Sequence, residues 1–377
     1  MADDRPTAVL LLNLGTPDAP SVSHVRSYLR EFLSDPRVID LHPVARWLLL
    51  NLVILPFRPA RSAAAYQAIW GAPGAAVEGS PLLFHSRAFE RGIRATLGPG
   101  YAVELAMRYG SPSIAEALGK LMARNPTKLV VAPLFPQYSS AASGSALARV
   151  YELLGDGWNV PAIETLEPFY DAPAFIDAFA EVARRHLDAF RPDFVLFSYH
   201  GLPERHVRKS DPTGQHCLRS DACCDAIVPA NHYCYRAHCF ATSRALATRL
   251  GLGAADHSVS FQSRLGRTPW IKPYTDLVLP ELARAGKRRL AVLCPAFVAD
   301  CLETVEEIGI RADAQWRSLG GEALHLVPSL NAEPTWIRAL ADLVRDEGAR
   351  HDEAAAGVAP TAPAASAMPA ASVRSPR

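Results

Sequence analysis

The chain has 377 residues, of which 49% are hydrophobic and 20% charged, and its formal net charge is +1. A chain of this length is longer than one hydrophobic core usually grows, so we expect two domains. The near-neutral charge, without a basic stripe, excludes an electrostatic surface for nucleic acid. The first residues, MADDRPTAVLLLNLG, carry acidic groups where a signal peptide needs basic ones, which predicts a first strand and a cytoplasmic protein.

Short β-rich runs alternate with helical patterns along the chain. Continuous apolar strands separated by amphipathic helices are typical of parallel sheets covered on both faces, so the predicted class is α/β with two doubly wound halves. Helical spacing is clearest at 112–125 and 173–190, the second opening with Asp171 as a predicted cap before Pro173. The strands are predicted in the runs TAVLLLNLG (7–15), YAVELAMRYG (101–110), KLVVAPLFP (128–136), DFVLFSYHG (193–201), HSVSFQSR (257–264), RRLAVLCPAFV (288–298) and EALHLVPSL (322–330).

Three stretches stand out from the alternation of strands and helices: a domain boundary, an apolar run and a C-terminal tail. The segment EPFYDAP separates one series of strands from the next long helix, so we predict domains at 8–170 and 171–350. The apolar run from Trp47 to Phe57 is well short of the ~20 residues that span a bilayer. It predicts either a buried helix or an exposed lip that touches a membrane or admits an apolar ligand. Residues 351–377 are an Ala/Pro/Ser mixture too poor in bulky apolar residues to fold, which predicts a disordered tail.

One predicted strand ends on a histidine. The run DFVLFSYHG finishes at His200 and breaks at once through Gly201 and Pro203. Ligands of open α/β sheets bind outside the carboxyl ends of the strands, so His200 is a candidate site residue. The alternative is a histidine that only hydrogen-bonds a loop carbonyl.

A row of carboxylates follows another predicted strand. The strand is predicted to end at Phe297, and a helix from Asp300 would place Asp300, Glu303 and Glu307 on one face. An imidazole and carboxylates at the same sheet edge would suit proton transfer or binding of a divalent cation. The alternative is a solvated face paired with Arg311.

A rigid aromatic loop is predicted nearby. Phe261, Gln262, Arg264 and Trp270 flank a glycine turn whose prolines restrict the backbone. Such a wall would suit a flat, largely apolar substrate, and it would equally suit a packed corner.

Five of the seven cysteines lie in one short segment, 217–239, called here the cysteine-rich segment. Dense thiols in a reducing compartment indicate metal ligands in preference to disulfides. The spacing does not match a zinc finger, and His216, His232 and His238 offer nitrogen ligands, so zinc and an iron–sulfur cluster both remain open.

Several stretches, in order, resemble the ferrochelatases, which insert ferrous iron into a porphyrin at the end of haem synthesis. The resemblance covers residues 8–345 and implies two Rossmann-like, chelatase-type domains with the active-site cleft between them. It implies insertion of Fe²⁺ into protoporphyrin IX to give protohaem. The alternatives are a coproporphyrin III enzyme, a chelatase for another divalent metal, and a non-catalytic tetrapyrrole or metal carrier. The matching stretches are NLGTPD (13–18), AYQAIW (65–70), GSPL (79–82), RYGSPS (108–113), PLFPQYSSAASGS (133–145), FSYHGLP (197–203), FQSRLGRTPW (261–270) and CPAFVADCLETVEE (294–307).

The resemblance also implies residue roles. His200 matches the histidine that takes pyrrole protons or binds iron, Glu303 matches the facing carboxylate, and Glu307 continues the acidic row. The run 47–57 matches a lip that lies on the inner face of the membrane. Porphyrin-binding residues are implied at Arg108, Tyr109, Tyr138, Gln262, Trp270 and Phe297.

The cysteine-rich segment resembles one that holds a [2Fe–2S] cluster in some bacterial members, with a structural zinc ion as the alternative. We expect four of the five thiols to be ligands, namely Cys217, Cys224, Cys234 and Cys239, with Cys223 as substitute.

Two positions depart from the family pattern. Cys301 stands where many members have a histidine, which leaves Asp300 or Glu303 to supply any metal-transfer role. The sequence SDPT at 210–213 replaces the usual GDPY, so the resemblance does not fix the shape of that loop.

Overall fold

The structure is a computed structural model that describes residues 5–355 except 72, 73, 75 and 267, with side chains to residue 346. The strands are β1 Thr7–Thr16, β2 Tyr101–Gly110, β3 Lys128–Pro133, β4 Ala162–Thr165, β5 Phe194–His200, β6 His257–Gln262, β7 Arg289–Leu293 and β8 Ala323–Leu326. The α-helices are α1 Val22–Ser34, α2 Pro43–Leu48, α3 Leu55–Ile69, α4 Pro81–Leu97, α5 Ile114–Met122, α6 Ser145–Gly155, α7 Pro173–Phe190, α8 Glu204–Lys209, α9 Tyr235–Leu250, α10 Thr275–Arg284, α11 Asp313–Ser318 and α12 Pro334–Ala355. Three π-helices lie at Leu49–Ile54, Ser140–Gly144 and Leu302–Ala312, and 3₁₀ turns at Asp221–Cys224 and Pro229–Asn231.

The strands form two parallel sheets with the same internal order. The first sheet runs β2-β1-β3-β4 and the second β6-β5-β7-β8. Each sheet therefore has its first strand in the interior, with the next two strands of that half on either side. The predicted α/β class with two doubly wound halves is confirmed.

The apolar runs form interior strands because both of their faces are covered. In β1, residues 8–12 are fully buried. Val9 and Leu11 face one core cluster, whereas Leu10 and Leu12 face the opposite one. Burial on both faces explains why the strand reads as a continuous apolar run and not as an alternating one.

The structure corrects three local predictions. Strand β7 ends at Leu293 and not at Phe297, because Pro295 has no N–H to continue a ladder. Helix α7 begins at Pro173 with Ala172 at its N-cap, so Asp171 does not cap it. Strand β4 was not predicted.

The C-terminal helix joins the two halves. The ring of Trp336 on α12 stacks on Phe89 of α4 at 5.7 Å, and Arg345 Nη2 donates to the Thr96 carbonyl at 2.7 Å. One continuous core cluster consequently contains residues of both sheets. Residues 351–355 belong to α12, and the rest of the predicted disordered tail lies outside the described residues.

Candidate active site

His200 is the last residue of β5, at the carboxyl edge of the second sheet. Its ring is partly exposed, and Nδ1 lies 2.6 Å from the Gly201 carbonyl oxygen. Because a carbonyl can only accept, Nδ1 carries a proton, and in the neutral tautomer with this bond the lone pair lies on Nε2. His200 therefore does bond a loop carbonyl, as the alternative reading predicted, and that bond fixes the tautomer that a base or metal ligand needs.

Gln262 connects the end of β5 to the start of the acidic helix. It pairs with His200 in the β5–β6 register, and its Oε1 accepts from Ser198 Oγ at 2.7 Å. Its Nε2 donates to the Glu303 carbonyl oxygen at 2.7 Å. Gln262 itself is buried, with 3% of its surface exposed. The amide places the backbone of Glu303 next to the strand that ends in His200.

The acidic row lies on a π-helix, Leu302–Ala312, and not on an α-helix from Asp300. π-helices are rare in proteins, and those that do occur often lie at functional sites. Ser263 donates to both oxygens of Glu307 through its backbone N–H and its hydroxyl, and Arg311 Nη2 lies 3.8 Å from Glu307 Oε2. Glu303 and Glu307, four residues apart, are the acids of this helix that remain partly exposed.

Asp300 does not belong to the acidic row, so that prediction is wrong. It lies in the loop before the π-helix, where Oδ2 accepts from Asn331 Nδ2 at 2.8 Å and Oδ1 accepts from the Ser329 N–H at 3.2 Å and from Thr304 Oγ1 at 3.1 Å. The carboxylate stabilises this loop, and its oxygens are already occupied by protein donors.

Glu303 faces the first half of the chain. Burial, and secondarily the charge of Glu303, raises the pKa of the Tyr28 hydroxyl well above its usual value. The pKa of the Tyr66 hydroxyl is also raised, first by burial and then by the charges of Tyr28 and Glu303. Burial and Glu303 also raise the pKa of Cys301, so its thiol stays protonated. Glu303 thus lies where helices α1 and α3 of the first half approach the second.

The first half contributes a buried network around Asp35. Its Oδ2 accepts from Arg108 Nη2 at 2.8 Å, from the Tyr109 hydroxyl at 2.9 Å and from Ser145 Oγ. Burial alone would raise the pKa of Asp35, but hydrogen bonds, first of all from Ser145, hold it below its usual value. Tyr109 is 1% exposed, whereas the Arg108 side chain is 17% exposed.

Three partly exposed aromatic side chains lie around this region. The Trp270 ring lies 6.4 Å from the His200 ring, and its Nε1 donates to the Leu265 carbonyl at 2.8 Å. Tyr138 follows β3 of the first half, and Phe297 packs against the cluster that contains Cys301. These rings offer flat apolar surface from both halves.

Asp40 links the first half to the helix that follows His200. Its carboxylate accepts from Arg205 Nε at 2.5 Å and from Lys209 Nζ at 2.7 Å, and His206 Nε2 lies 3.1 Å away. Burial would raise the pKa of Asp40, but the bonds from Lys209, Arg205 and His206 hold it far below its usual value. Helix α8 is thereby fixed to the loop that precedes α2.

The run 47–57, called here the apolar lip, forms the end of α2, a π-helix and the start of α3. Trp47 and Leu52 are each 60% exposed and Phe57 is 77% exposed, so the buried-helix alternative is wrong. Within the residues that the structure describes, no helix is long and apolar enough to cross a bilayer.

The five thiols of the cysteine-rich segment are all buried and none forms a disulfide. Cys223 Sγ and Cys224 Sγ are 3.7 Å apart, and Arg236 Nη1 lies 3.1 Å from Cys224 Sγ. A hydrogen bond with Cys234, followed by burial, raises the pKa of Cys224. In the described part of the chain no three His, Cys, Asp or Glu side chains are arranged to hold a metal ion. The donor chemistry, buried thiols beside a guanidinium, nevertheless fits a thiolate-held group.

Two of the three histidines in and beside this segment, His216 and His238, have hydrogen-bond partners for their rings. His216 Nε2 lies 3.0 Å from the Cys223 carbonyl oxygen, and His238 Nε2 lies 2.7 Å from that of His232. His238 Nε2 must donate to this carbonyl, and its Nδ1 accepts from the Tyr138 N–H, so neither nitrogen of His238 is free as a metal ligand. His216 Nε2 also lies 3.3 Å from Asn231 Nδ2.

Similarity to known proteins extends over almost the whole chain. Residues 6–348 match the family model described as Ferrochelatase. A protein of Coxiella burnetii (strain CbuK_Q154), named Ferrochelatase, is 50% identical over 337 residues, which are 89% of this chain and 92% of that protein. A Ferrochelatase of Legionella pneumophila (strain Lens) is 47% identical over 340 residues, 90% of this chain and 98% of that protein.

A solved structure shares the fold. SirB from Bacillus subtilis with Fe3+ has a TM-score of 0.53 at 11% identity and covers 92% of this chain and 97% of its own. At this identity the likeness concerns the fold alone, and it confirms the predicted pair of Rossmann-like, chelatase-type domains.

Proposed function

The chain belongs to the ferrochelatase family, and from that membership we propose which residues carry the reaction and which porphyrin they accept. It is a metal-inserting chelatase of the lyase class, and it inserts Fe²⁺ into a porphyrin in haem synthesis. The observation that carries the residue assignment is the Gln262 amide, which ties the strand of His200 to the backbone of Glu303.

His200 is the proposed proton acceptor. Metal insertion requires the porphyrin to lose its two pyrrole N–H protons, so a base must face the ring. The Gly201 carbonyl holds the proton on Nδ1 and leaves the Nε2 lone pair to accept. A side chain at 201 would clash, because its Cβ would lie 2.8 Å from the Gln262 carbonyl oxygen and 3.2 Å from the Trp270 ring.

Glu303 and Glu307 are the proposed iron-facing acids. Fe²⁺ accepts both imidazole and carboxylate ligands, so these groups can hold the ion before transfer. Glu307 is fixed by Ser263 and has a cation nearby in Arg311, whereas Glu303 is anchored through its backbone and keeps a partly exposed side chain. Of the two, Glu303 is the acid that we assign to face the porphyrin directly.

Tyr138, Trp270 and Phe297 are the proposed walls of the porphyrin site, with Arg108 beside them. Flat rings held by packing favour a planar macrocycle, and a site that fits the bent ring best lowers the barrier to insertion. Tyr109 and Gln262 are proposed to act from beneath this surface by holding Asp35 and Glu303 in place.

Protoporphyrin IX is the porphyrin we propose. It carries vinyl groups where coproporphyrin III carries two further propionates, so it is the more apolar of the two. The exposed apolar lip supports an apolar substrate and a peripheral membrane contact, since large apolar patches mark such surfaces. Steady-state kcat/KM for Fe²⁺ insertion into each porphyrin decides between them, and a higher value for coproporphyrin III would overturn the choice.

The cysteine-rich segment is proposed to hold a [2Fe–2S] cluster. Such a cluster, when bound, supplies a redox centre and cross-links the chain that ligates it. Cys234 acts on the pKa of both Cys217 and Cys224, and all three thiols are buried, which supports these three as ligands. The 3.7 Å contact between Cys223 and Cys224 favours Cys223 over Cys239 as the fourth. Visible absorption of the purified protein tests this, because a zinc site would be colourless.

A further inference from the structure

A buried histidine from the second half holds the loop that carries Tyr138. The backbone N–H of Tyr138 donates to His238 Nδ1 at 3.2 Å, and His238 is 1% exposed. On the other side of the ring, His238 Nε2 donates to the His232 carbonyl at 2.7 Å. Both ring nitrogens are therefore used, one as acceptor and one as donor. Burial lowers the pKa of His238 to about 4, so the ring is neutral near pH 7 and keeps its acceptor nitrogen.

Neighbouring contacts also hold the loop that carries Tyr138 against helix α9. Gln137 Nε2 donates to Thr242 Oγ1 at 3.0 Å, and Thr242 Oγ1 lies 2.7 Å from the Tyr170 carbonyl oxygen. The Tyr170 ring stacks on the His238 ring at 3.8 Å. Gln137 and Thr242 are both buried, so the loop after β3 is bonded to α9 at two successive residues.

The same helix begins in the cysteine-rich segment. Cys234 is the N-cap residue of α9, and His232 lies two residues earlier. The ring of Tyr233 lies 5.0 Å from the ring of Tyr138. The His238 ring therefore connects the backbone of the cysteine-rich segment to the backbone of the proposed porphyrin wall.

We propose that His238 is a positioning residue that sets Tyr138 for porphyrin binding. This rests on the proposed place of Tyr138 in the porphyrin site. Without an acceptor at His238, the partly buried Tyr138 N–H loses its partner, which is costly, so the loop shifts until the group finds another. The Tyr138 ring moves with it.

Two variants separate the two bonds of the ring. In His238→Asn, the side-chain oxygen takes the place of Nδ1 and can still accept from Tyr138. In His238→Gln, the longer amide reaches the His232 carbonyl and leaves the Tyr138 N–H unpaired. His325→Gln is the matched control, because His325 lies on β8, where its Nε2 is 3.0 Å from His186 Nδ1.

The measurements are KM and kcat for protoporphyrin, porphyrin binding by fluorescence quenching, and thermal unfolding. We expect His238→Gln to raise KM and Kd for the porphyrin roughly 10-fold with kcat nearly unchanged, and His238→Asn to keep most of the affinity. Equal affinities for the two variants, or a loss of thermal stability with KM unchanged, would overturn the inference. A wild-type protein without chelatase activity would instead refute the proposed function, so the two failures are distinguishable.

Discussion

Replacing Gln262 by methionine removes the amide that joins the strand of His200 to Glu303 while keeping a similar volume. Two buried bonds of 2.7 Å are lost, one from Ser198 Oγ and one to the Glu303 carbonyl. The Ser198 hydroxyl keeps Thr275 Oγ1 as a partner at 3.0 Å. The expected loss in the free energy of unfolding is therefore that of one group left without a partner, about 1–3 kcal/mol. Because the start of the π-helix is no longer fixed, we also expect kcat for iron insertion to fall roughly 10- to 100-fold.

Ser198→Ala is the control for this variant. It removes one of the two bonds and leaves the contact between Gln262 and Glu303 intact. Denaturant unfolding should show a loss for both variants, whereas steady-state insertion into protoporphyrin IX should separate them. If Gln262→Met turns over like Ser198→Ala, the amide does not position the acid, and our assignment of Gln262 is wrong.

Three further predictions concern the ion cluster, the thiols and the lip. Asp40 has a depressed pKa in the folded chain, so its contribution to stability is full above its unfolded pKa of about 3.9 and is lost as pH falls below that value. Urea unfolding of Asp40→Asn should therefore depend less on acid pH than unfolding of the wild type. The same acid dependence in both proteins would refute this prediction. Cys223→Ser should remove the visible absorption of the purified protein while Cys239→Ser keeps it, and the reverse result would restore Cys239 as ligand. Trp47→Ser and Phe57→Ser should each weaken binding to vesicles of anionic lipid by about 10- to 100-fold, since burying such a side chain contributes about 1.5–3 kcal/mol. Vesicle binding that neither substitution changes would refute the membrane contact of the lip. Unchanged thermal unfolding is the control that shows an intact fold.

The interior strands could be predicted because they depend on local sequence. An interior parallel strand must be apolar on both faces, so β1 and β5 stand out as continuous runs, and His200 marks the end of one. Strand β4 has four residues that are all half-buried, so it lacks such a run. Its place at the edge of the sheet follows only from the assembled fold.

Other features depend on contacts between distant residues. Asp35 and Arg108 are 73 residues apart, and Asp40 and Arg205 are 165 apart, so no local pattern indicates their pairing. The apolar lip could be a buried helix or an exposed surface until neighbouring elements are placed around it. Apolar spacing alone does not distinguish a π-helix from an α-helix. It also does not fix where the helix begins, and a predicted start two residues before Leu302 placed Asp300 in the acidic row.

The most direct test of the account compares kcat for ferrous insertion into protoporphyrin IX among His200→Ala, Glu303→Gln and the double variant. If the imidazole and the carboxylate act on one bound porphyrin, each single variant loses at least about 100-fold and the double variant is scarcely worse than either single one. All three should unfold at temperatures close to the wild type, because both side chains are partly exposed. Near-normal turnover by either single variant, or losses that simply multiply in the double variant, would contradict a shared site.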